Sequence, residues 1–153
     1  MPDTHRSAFI AVVGRPSAGK STLVNKICGQ KVAIVSPVPQ TTRNTVRGIK
    51  TGDGYQLVFL DTPGLHDSEK AMNRRLRDLA LRALEDADLV LYVIDTTRAP
   101  GPEEESIVEK VAPFIGKTFV AVNKIDARDS DAPRARAFLD ERMPGSRAFE
   151  LSA

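Results

Sequence analysis

The sequence is poor in cysteine and has no long apolar run. Cys28 is the only cysteine among 153 residues, which excludes an intrachain disulfide and favours a reducing compartment. The longest apolar run, Leu89–Ile94, has the length of a strand, whereas a membrane-spanning helix needs roughly 20 residues. Asp3 interrupts the amino-terminal region, so no secretory leader is indicated. These absences lead us to expect a cytoplasmic protein.

The sequence also lacks a large excess of charge of either sign. Its 22 Lys and Arg residues against 20 Asp and Glu residues leave a net charge of +2, too small by itself to indicate nucleic-acid binding. Basic residues between positions 70 and 86 are interleaved with acidic ones, which is typical of an ordinary charged helix face. A hydrophobic fraction of 41% and a charged fraction of 27% are typical of one soluble globular domain.

The sequence does contain short apolar runs with helical stretches between them. Near-continuous apolar runs are typical of strands covered on both faces, so the pattern predicts an α/β fold with a doubly wound, mostly parallel sheet flanked by helices. The predicted strands are Phe9–Val13, Gln56–Leu60, Leu89–Ile94 and Thr118–Val122, with Val46–Lys50 and Ala148–Leu151 as weaker candidates. A core-facing helical stripe is formed by Met72, Leu76, Leu79, Ala80, Ala83, Leu84 and Ala87, and a further helix begins at Pro102.

The stretch Gly14–Ser21 directly follows the first predicted strand and fits the phosphate-loop pattern G-x-x-x-x-G-K-[ST]. Its glycines let the backbone curl so that several N–H groups face one anion, and a helix start follows. Lys20 is placed to reach the β- and γ-phosphates, and the Ser21 hydroxyl is placed to ligate Mg²⁺. The predicted nucleotide-binding residues of this segment are Gly14, Arg15, Pro16, Ser17, Ala18, Gly19, Lys20, Ser21 and Thr22.

A second motif, Asp61–Gly64, follows the strand Gln56–Leu60. A carboxylate at a strand end is suited to hold Mg²⁺ through water, as a partner of Ser21, and Gly64 leaves room for its N–H to approach a γ-phosphate. The residues Thr62 and Pro63 are also good turn formers, so a plain turn is the competing interpretation. Downstream of a phosphate loop we favour the metal and nucleotide interpretation for Asp61, Thr62, Pro63 and Gly64.

A third motif, Asn123–Asp126, follows the strand Thr118–Val122 and indicates which base is bound. The Asp126 carboxylate can accept two hydrogen bonds from guanine, whereas adenine would leave it unmatched. Asn123 would brace the loops, and the stem of Lys124 would cover one face of the base. The small residues Ser152 and Ala153 follow the last predicted strand, where a backbone N–H could reach the guanine O6 atom.

Together these motifs resemble the Era family, within the translation-factor-related class of P-loop GTPases. The segments Pro39–Asn44, Arg47–Ile49 and Asp61–His66 carry the resemblance to the Era family in particular. It implies a P-loop GTPase domain and a slow GTP-hydrolysing switch that uses GTP, GDP and Mg²⁺. Lys20, Thr41, Thr42 and Gly64 are the implied catalytic residues, and Ser21, Thr42 and Asp61 the implied metal ligands; the sequence leaves open whether Thr41 or Thr42 supplies the switch hydroxyl.

The resemblance also implies partners. Members of the family act in small-subunit ribosome assembly through 16S rRNA and associate peripherally with the inner membrane. They continue with a last G-domain helix and an RNA-binding KH domain, neither of which falls within residues 1–153. We therefore expect residues 1–153 to be a G-domain fragment whose contact with rRNA and the ribosomal subunit depends on the absent domain.

The chain departs from the family pattern at Ser17, whereas Leu65 resembles the hydrophobic residue common at its position in Era-like GTPases. Ser17 stands where the family usually has Asn, a residue associated with a monovalent cation, so a K⁺ cofactor is in question. Leu65 stands where Ras-like GTPases place a water-orienting Gln, which predicts slow turnover. Three alternatives stay open: a sister family acting in tRNA modification or large-subunit assembly, a hydrolysis-deficient GTP-binding scaffold, and an ATP-using P-loop enzyme, against which Asp126 argues.

Overall fold

Strands and helices alternate along the chain in the computed structural model, which describes residues 5–29, 45–62 and 74–153. The strands in this part are β1 (Arg6–Val13), β2 (Thr45–Gly52), β3 (Tyr55–Asp61), β4 (Leu89–Asp95), β5 (Thr118–Asn123) and β6 (Arg147–Glu150). The helices are α1 (Lys20–Cys28), α2 (Arg74–Asp86), α3 (Pro102–Val111) and α4 (Ala132–Arg142), and a 3-10 segment, Ala112–Lys117, connects α3 to β5.

Within the described residues, the six strands form one sheet in the order β2-β3-β1-β4-β5-β6. β2 pairs antiparallel with β3, and all the other neighbouring pairs are parallel. The prediction of a mostly parallel α/β sheet is therefore confirmed. β1 lies between β3 and β4. The chain first places β2 and β3 on one side of β1 and then crosses to place β4, β5 and β6 on its other side. Such a switch point opens a crevice at the carboxyl ends of the strands, where α/β proteins bind their ligands.

Both faces of the sheet are covered by apolar packing, which explains the near-continuous apolar runs. Alternate residues along a strand point to opposite faces, so the central strands β1, β4 and β5 each contribute to two clusters. The cluster on the α1 face contains Ile10, Val12, Leu23, Val24, Cys28, Phe59, Val93 and Ala121. The cluster on the opposite face contains Ala11, Val13, Ala80, Leu84, Tyr92, Ile94, Ile107, Val111, Val120, Val122, Leu139 and Met143.

The three helices predicted from the sequence are present, and the one after the phosphate loop is α1. On α2 and directly after it, Ala80, Ala83, Leu84 and Ala87 are buried, which confirms the core-facing stripe for these members; Met72 lies outside the described residues. α3 begins at Pro102 with three glutamates in its first turn, as its sequence indicates.

α4 is not among the predicted helices, because its amphipathic signal is weak: only Ala135 and Leu139 along it are buried. Its amino terminus is instead fixed by a side-chain cap. The Asp131 carboxylate accepts a hydrogen bond of 3.0 Å from the Arg134 N–H.

The β2–β3 hairpin contains a bulge that affects the site. Val46 is opposite Leu60 and Gly48 is opposite Phe59, so Arg47 is an extra residue without a partner on β3. A bulge of this kind interrupts the alternation of side chains and redirects the extra one. The weaker strand prediction Val46–Lys50 is confirmed, whereas nothing in the sequence indicated the bulge.

The α1 face of the sheet is less completely covered near β6. Phe149 is 56% exposed there and stacks on Phe119, with ring centroids 6.2 Å apart. The helices in the described ranges are all too short or too polar to cross a membrane.

Candidate nucleotide-binding site

The loop between β1 and α1 needs its two glycines for both conformation and space. Gly14 has φ 151° and Gly19 has φ 99°, values that residues with a side chain rarely adopt. A Cβ on Gly14 would lie 2.5 Å from the Val93 carbonyl oxygen, and one on Gly19 would collide with the Asn123 amide. The loop therefore curls directly over the ends of β4 and β5, as a phosphate cradle requires.

Lys20 is the first residue of α1, and its ammonium group points back into this loop. Its Nζ donates hydrogen bonds of 2.6 Å to the Gly14 carbonyl and 2.9 Å to the Arg15 carbonyl. Burial, together with the nearby positive charge of Arg47, lowers the pKa of Lys20 to about 8. A phosphate beside this ammonium would favour its charged form, so the loop holds a cation suited to an anionic ligand.

Asn123 and Lys124 connect the predicted base-recognition loop to the phosphate loop. Asn123 donates a 2.9 Å hydrogen bond to the Ala18 carbonyl, and its side-chain oxygen accepts one of 3.0 Å from the Ala153 N–H. Lys124 donates a 2.7 Å hydrogen bond to the Ser17 carbonyl. The structure thus brings three separate sequence motifs into one hydrogen-bonded unit.

Sequence analysis missed Asp95, which contributes a carboxylate to this hydrogen-bonded unit through its contact with Lys124. Asp95 ends β4 and is 2% exposed, and its carboxylate accepts a 2.8 Å hydrogen bond from the Lys124 ammonium. Although burial acts to raise the pKa of Asp95, hydrogen bonds from Lys124 and Thr97 hold it below its ordinary value. The available signal was its position at the end of a buried strand, which is the same signal that indicated Asp61.

Asp126 differs from these residues because its side chain is fully exposed. A hydrogen bond from Ser152 holds the pKa of its carboxyl below the usual range, so Asp126 is ionised at neutral pH. An exposed, ionised carboxylate is free to accept hydrogen bonds from a base. Ser152 is also bound by α1, since its carbonyl accepts a 3.1 Å hydrogen bond from Lys26 of that helix.

The predicted metal residues Ser21 and Asp61 lie on either side of Arg47. The Arg47 guanidinium donates a hydrogen bond to the Ser21 hydroxyl, and its Nη2 lies 3.0 Å from Oδ2 of Asp61. The other oxygen of Asp61 is buried without a hydrogen-bond partner among the described residues. A hydroxyl and a carboxylate with a spare oxygen are the hard donors that Mg²⁺ prefers, so these residues fit that ion.

Not every predicted residue is available to a ligand. The Thr62 hydroxyl is buried and donates a 3.0 Å hydrogen bond to the Val12 carbonyl, so this side chain fixes the end of β3 to β1. Thr41, Thr42, Pro63 and Gly64 lie outside the described residues. An open cavity of about 480 Å³ is lined by several of the remaining predicted residues and by Arg47: Pro16, Ser17, Gly19, Lys20, Ser21, Thr22, Arg47 and Lys124.

A buried polar cluster behind the phosphate loop was also missed by sequence analysis. Nε of Arg15 lies 2.5 Å from the carboxylate of Glu104, and these side chains are 6% and 1% exposed. Glu104 also accepts a hydrogen bond from the Tyr92 hydroxyl. Burial raises the pKa of Glu104, while that hydrogen bond and the charge of Arg15 oppose the rise. No sequence signal indicates this cluster, because Glu104 looks like an ordinary first-turn acid of α3.

Ser17 has φ 64°, a left-handed conformation that costs most residues roughly 1–2 kcal/mol. Asn adopts it more readily than Ser, so we expect Ser17→Asn to raise the free energy of unfolding by about 0.5–1 kcal/mol. The Lys124 hydrogen bond survives, since it uses only the backbone carbonyl. Chemical denaturation measures the change, with Ser17→Val as the opposite control, because a β-branched residue should lower stability. Equal stability of all three proteins would contradict the argument.

Comparison with known proteins identifies a family that contains this chain. The model of the family described as 50S ribosome-binding GTPase matches residues 9–124, which include the phosphate loop and the first residues of the base-recognition motif. The chain belongs to this family.

Within this GTPase family, the chain is similar to proteins named GTPase Era. It is 45% identical to that of Treponema denticola over 150 residues and 39% identical to that of Geobacter metallireducens, and these matches cover 96% and 97% of the chain. The chain spans only about half the length of these relatives, 51% and 50%. The resemblance to the Era family stated from the motifs is thereby confirmed.

Solved structures of Era give the same result. A single-residue variant of Aquifex aeolicus Era bound to GDP·AlF4⁻ is 32% identical, with a TM-score of 0.70 and coverage of 95% of this chain and 51% of that one. Era in complex with MgGDPNP and nucleotides 1506–1542 of 16S ribosomal RNA has the same identity and coverage and a TM-score of 0.71. The chain is therefore an Era-type G domain, and the predicted P-loop GTPase fold is confirmed.

Proposed function

We propose that this chain binds GTP and GDP in the cavity beside Lys20 and hydrolyses GTP slowly. The observation that carries the proposal is the connection between the phosphate loop and the predicted guanine-recognition loop, made by Asn123 to Ala18 and by Lys124 to Ser17. These bonds hold a polyphosphate cradle and a base-recognition site at a fixed separation. A ligand that carries both a guanine base and phosphates is what such an arrangement selects.

Each residue has a distinct part in this proposal. The loop backbone and Lys20 bind the phosphates, Asp126 accepts the guanine donors, and Ser21 and Asp61 hold Mg²⁺. When bound, that ion supplies neutralising charge on the phosphates. By resemblance, Thr41 or Thr42 adds a switch hydroxyl to the metal site, and Gly64 offers its N–H to the γ-phosphate. With Leu65 after Gly64, no side chain at that position orients the attacking water, so hydrolysis is slow.

The proposed role of the whole protein rests on its relatives. The family description names the 50S ribosome, whereas a solved relative is Era bound to part of 16S ribosomal RNA. Because the chain is similar to Era in particular, we propose the role in small-subunit assembly, with rRNA contacted through a domain outside these 153 residues and peripheral association with the inner membrane.

We also propose that Ser17 weakens K⁺ stimulation of hydrolysis. Rates of GTP hydrolysis measured in K⁺ and in Na⁺ test this proposal.

Calorimetric titration with GDP, GTP and ATP at a fixed Mg²⁺ concentration tests the nucleotide assignment. We expect GDP and GTP to bind at least about 100-fold more tightly than ATP, because adenine leaves Asp126 unmatched. Single-turnover hydrolysis of GTP then separates an enzyme from a binding module. A GTP lifetime equal to that without protein would leave a scaffold that signals by binding alone, and comparable affinities for ATP and GTP would overturn the guanine assignment.

A further inference from the structure

Arg47 occupies an unusual place between the two predicted metal residues. Its guanidinium contacts the Ser21 hydroxyl and the Asp61 carboxylate at once, and it lines the same cavity as Lys20. Arg47 and Asp61 are 22% and 25% exposed, so the pair is partly shielded from water. A positive group with planar donors thus already lies between the two oxygens that fit Mg²⁺.

The local fold explains why the side chain points there. Arg47 is the extra residue of the bulge on β2, and the neighbouring Thr45 is paired with Asp61 on β3. Without the bulge, regular alternation along β2 would govern the direction of this side chain. The bulge releases Arg47 from that alternation, and bulges are common beside active sites because they redirect one side chain.

We propose that Arg47 competes with Mg²⁺ for Ser21 and Asp61 and so raises the metal concentration that the site requires. The proposal rests on the function proposed above, since it concerns the metal of that same site. The ion and the guanidinium cannot both bind the Oδ2 atom of Asp61 and the Ser21 hydroxyl in the observed manner. Oδ1 of Asp61 is spare, but an ion held there and by the Ser21 hydroxyl would still lie beside the guanidinium, and because the two positive charges repel each other we expect the ion to displace the arginine. Arg47 is a positioning residue here, which sets how readily metal enters.

Metal affinity tests this directly, without reference to hydrolysis. Mn²⁺, a paramagnetic stand-in for Mg²⁺, is titrated by electron paramagnetic resonance into protein saturated with GDP. We expect Arg47→Met to lower the half-saturating Mn²⁺ concentration about fivefold, which corresponds to the roughly 1 kcal/mol of a partly exposed ion pair. An unchanged or higher half-saturating concentration in Arg47→Met would overturn the proposal.

Two control variants separate displacement from simple charge removal. Lys50→Met removes the same charge from the same strand, and among the described contacts Lys50 touches neither Ser21 nor Asp61, so no shift is expected. Arg47→Lys keeps the charge but cannot bridge two oxygens with a planar fork, so at least half of the Arg47→Met shift is expected. If the half-saturating Mn²⁺ concentration of Arg47→Lys equals that of the unsubstituted protein, the effect of Arg47 is one of charge alone, which would count against competition.

A spectroscopic readout follows the arginine itself. The Nε–H resonance of Arg47, assigned by its loss in Arg47→Lys, should move when Mg²⁺ is added to the GDP complex. A resonance that does not move when Mg²⁺ is added would contradict displacement of Arg47.

GDP binding is measured first, so that a failure of the proposed function is recognised separately. If GDP does not bind, Mn²⁺ is titrated into the protein alone, where competition predicts the same order of half-saturating concentrations.

Discussion

Glu104→Ala should lower the free energy of unfolding by about 3–5 kcal/mol, since it removes one partner of a buried ion pair. Arg15 is 6% exposed and would retain its charge with no carboxylate beside it. Tyr92, which is fully buried, would lose the acceptor of its hydroxyl at the same time. A loss of this size is a large fraction of the stability of an ordinary domain.

Chemical denaturation of the variant measures this loss, and the chain offers a matched control. Glu105 is the next residue on α3, and its ion pair with Arg142 has a similar length, 2.8 Å, but is 54% and 47% exposed. Glu105→Ala should therefore cost less than about 1 kcal/mol. If the two substitutions destabilise equally, burial is not what makes Glu104 important.

A less disruptive substitution at Glu104 tests whether this cluster affects ligand binding. Glu104→Gln keeps the shape and a hydrogen-bonding group but loses the charge that holds Arg15. The Arg15 carbonyl accepts a hydrogen bond from Lys20, so a shift of Arg15 would disturb the phosphate loop. Weaker GDP binding is expected in Glu104→Gln than in Tyr92→Phe, which leaves the ion pair in place.

Asp126→Asn should reduce GTP affinity by at least about 100-fold, because a site that pairs specific donors strongly rejects a mismatch. An amide offers an N–H group where guanine also presents donors, so the pairing fails. Xanthine carries a carbonyl in place of the guanine amino group and matches the amide. The variant should consequently bind xanthosine diphosphate better than GDP.

Competition titrations with GDP and xanthosine diphosphate check this reversal of preference. Asp129→Asn is the matched control, since Asp129 lies in the same loop, is exposed and carries the same charge. We expect its preference for GDP to be unchanged. Retention of full GDP affinity by Asp126→Asn would break the guanine assignment while leaving phosphate binding by the loop intact.

Much of the fold was predictable because its signals are local. The strand Leu89–Ile94 was recognised by its apolar run, and the start of α3 at Pro102 by its first-turn residues. α4 was not predicted, since helix formation there depends on packing of only two buried residues and on the Asp131 cap. The bulge at Arg47 was not predictable either, because it is a property of pairing between two strands.

The sequence by itself determined the family and the position of the phosphate loop, and it carries the prediction that the bound base is guanine. These depend on residue types at fixed spacing within single loops, such as Gly14 to Lys20 and Asn123 to Asp126, where local chemistry suffices. Only the tertiary structure decided what lies against those loops. Glu104 behind Arg15, Asp95 beneath Lys124 and Arg47 between Ser21 and Asp61 are contacts between distant segments. Such contacts arise from strand order and register, which no local pattern of residues encodes.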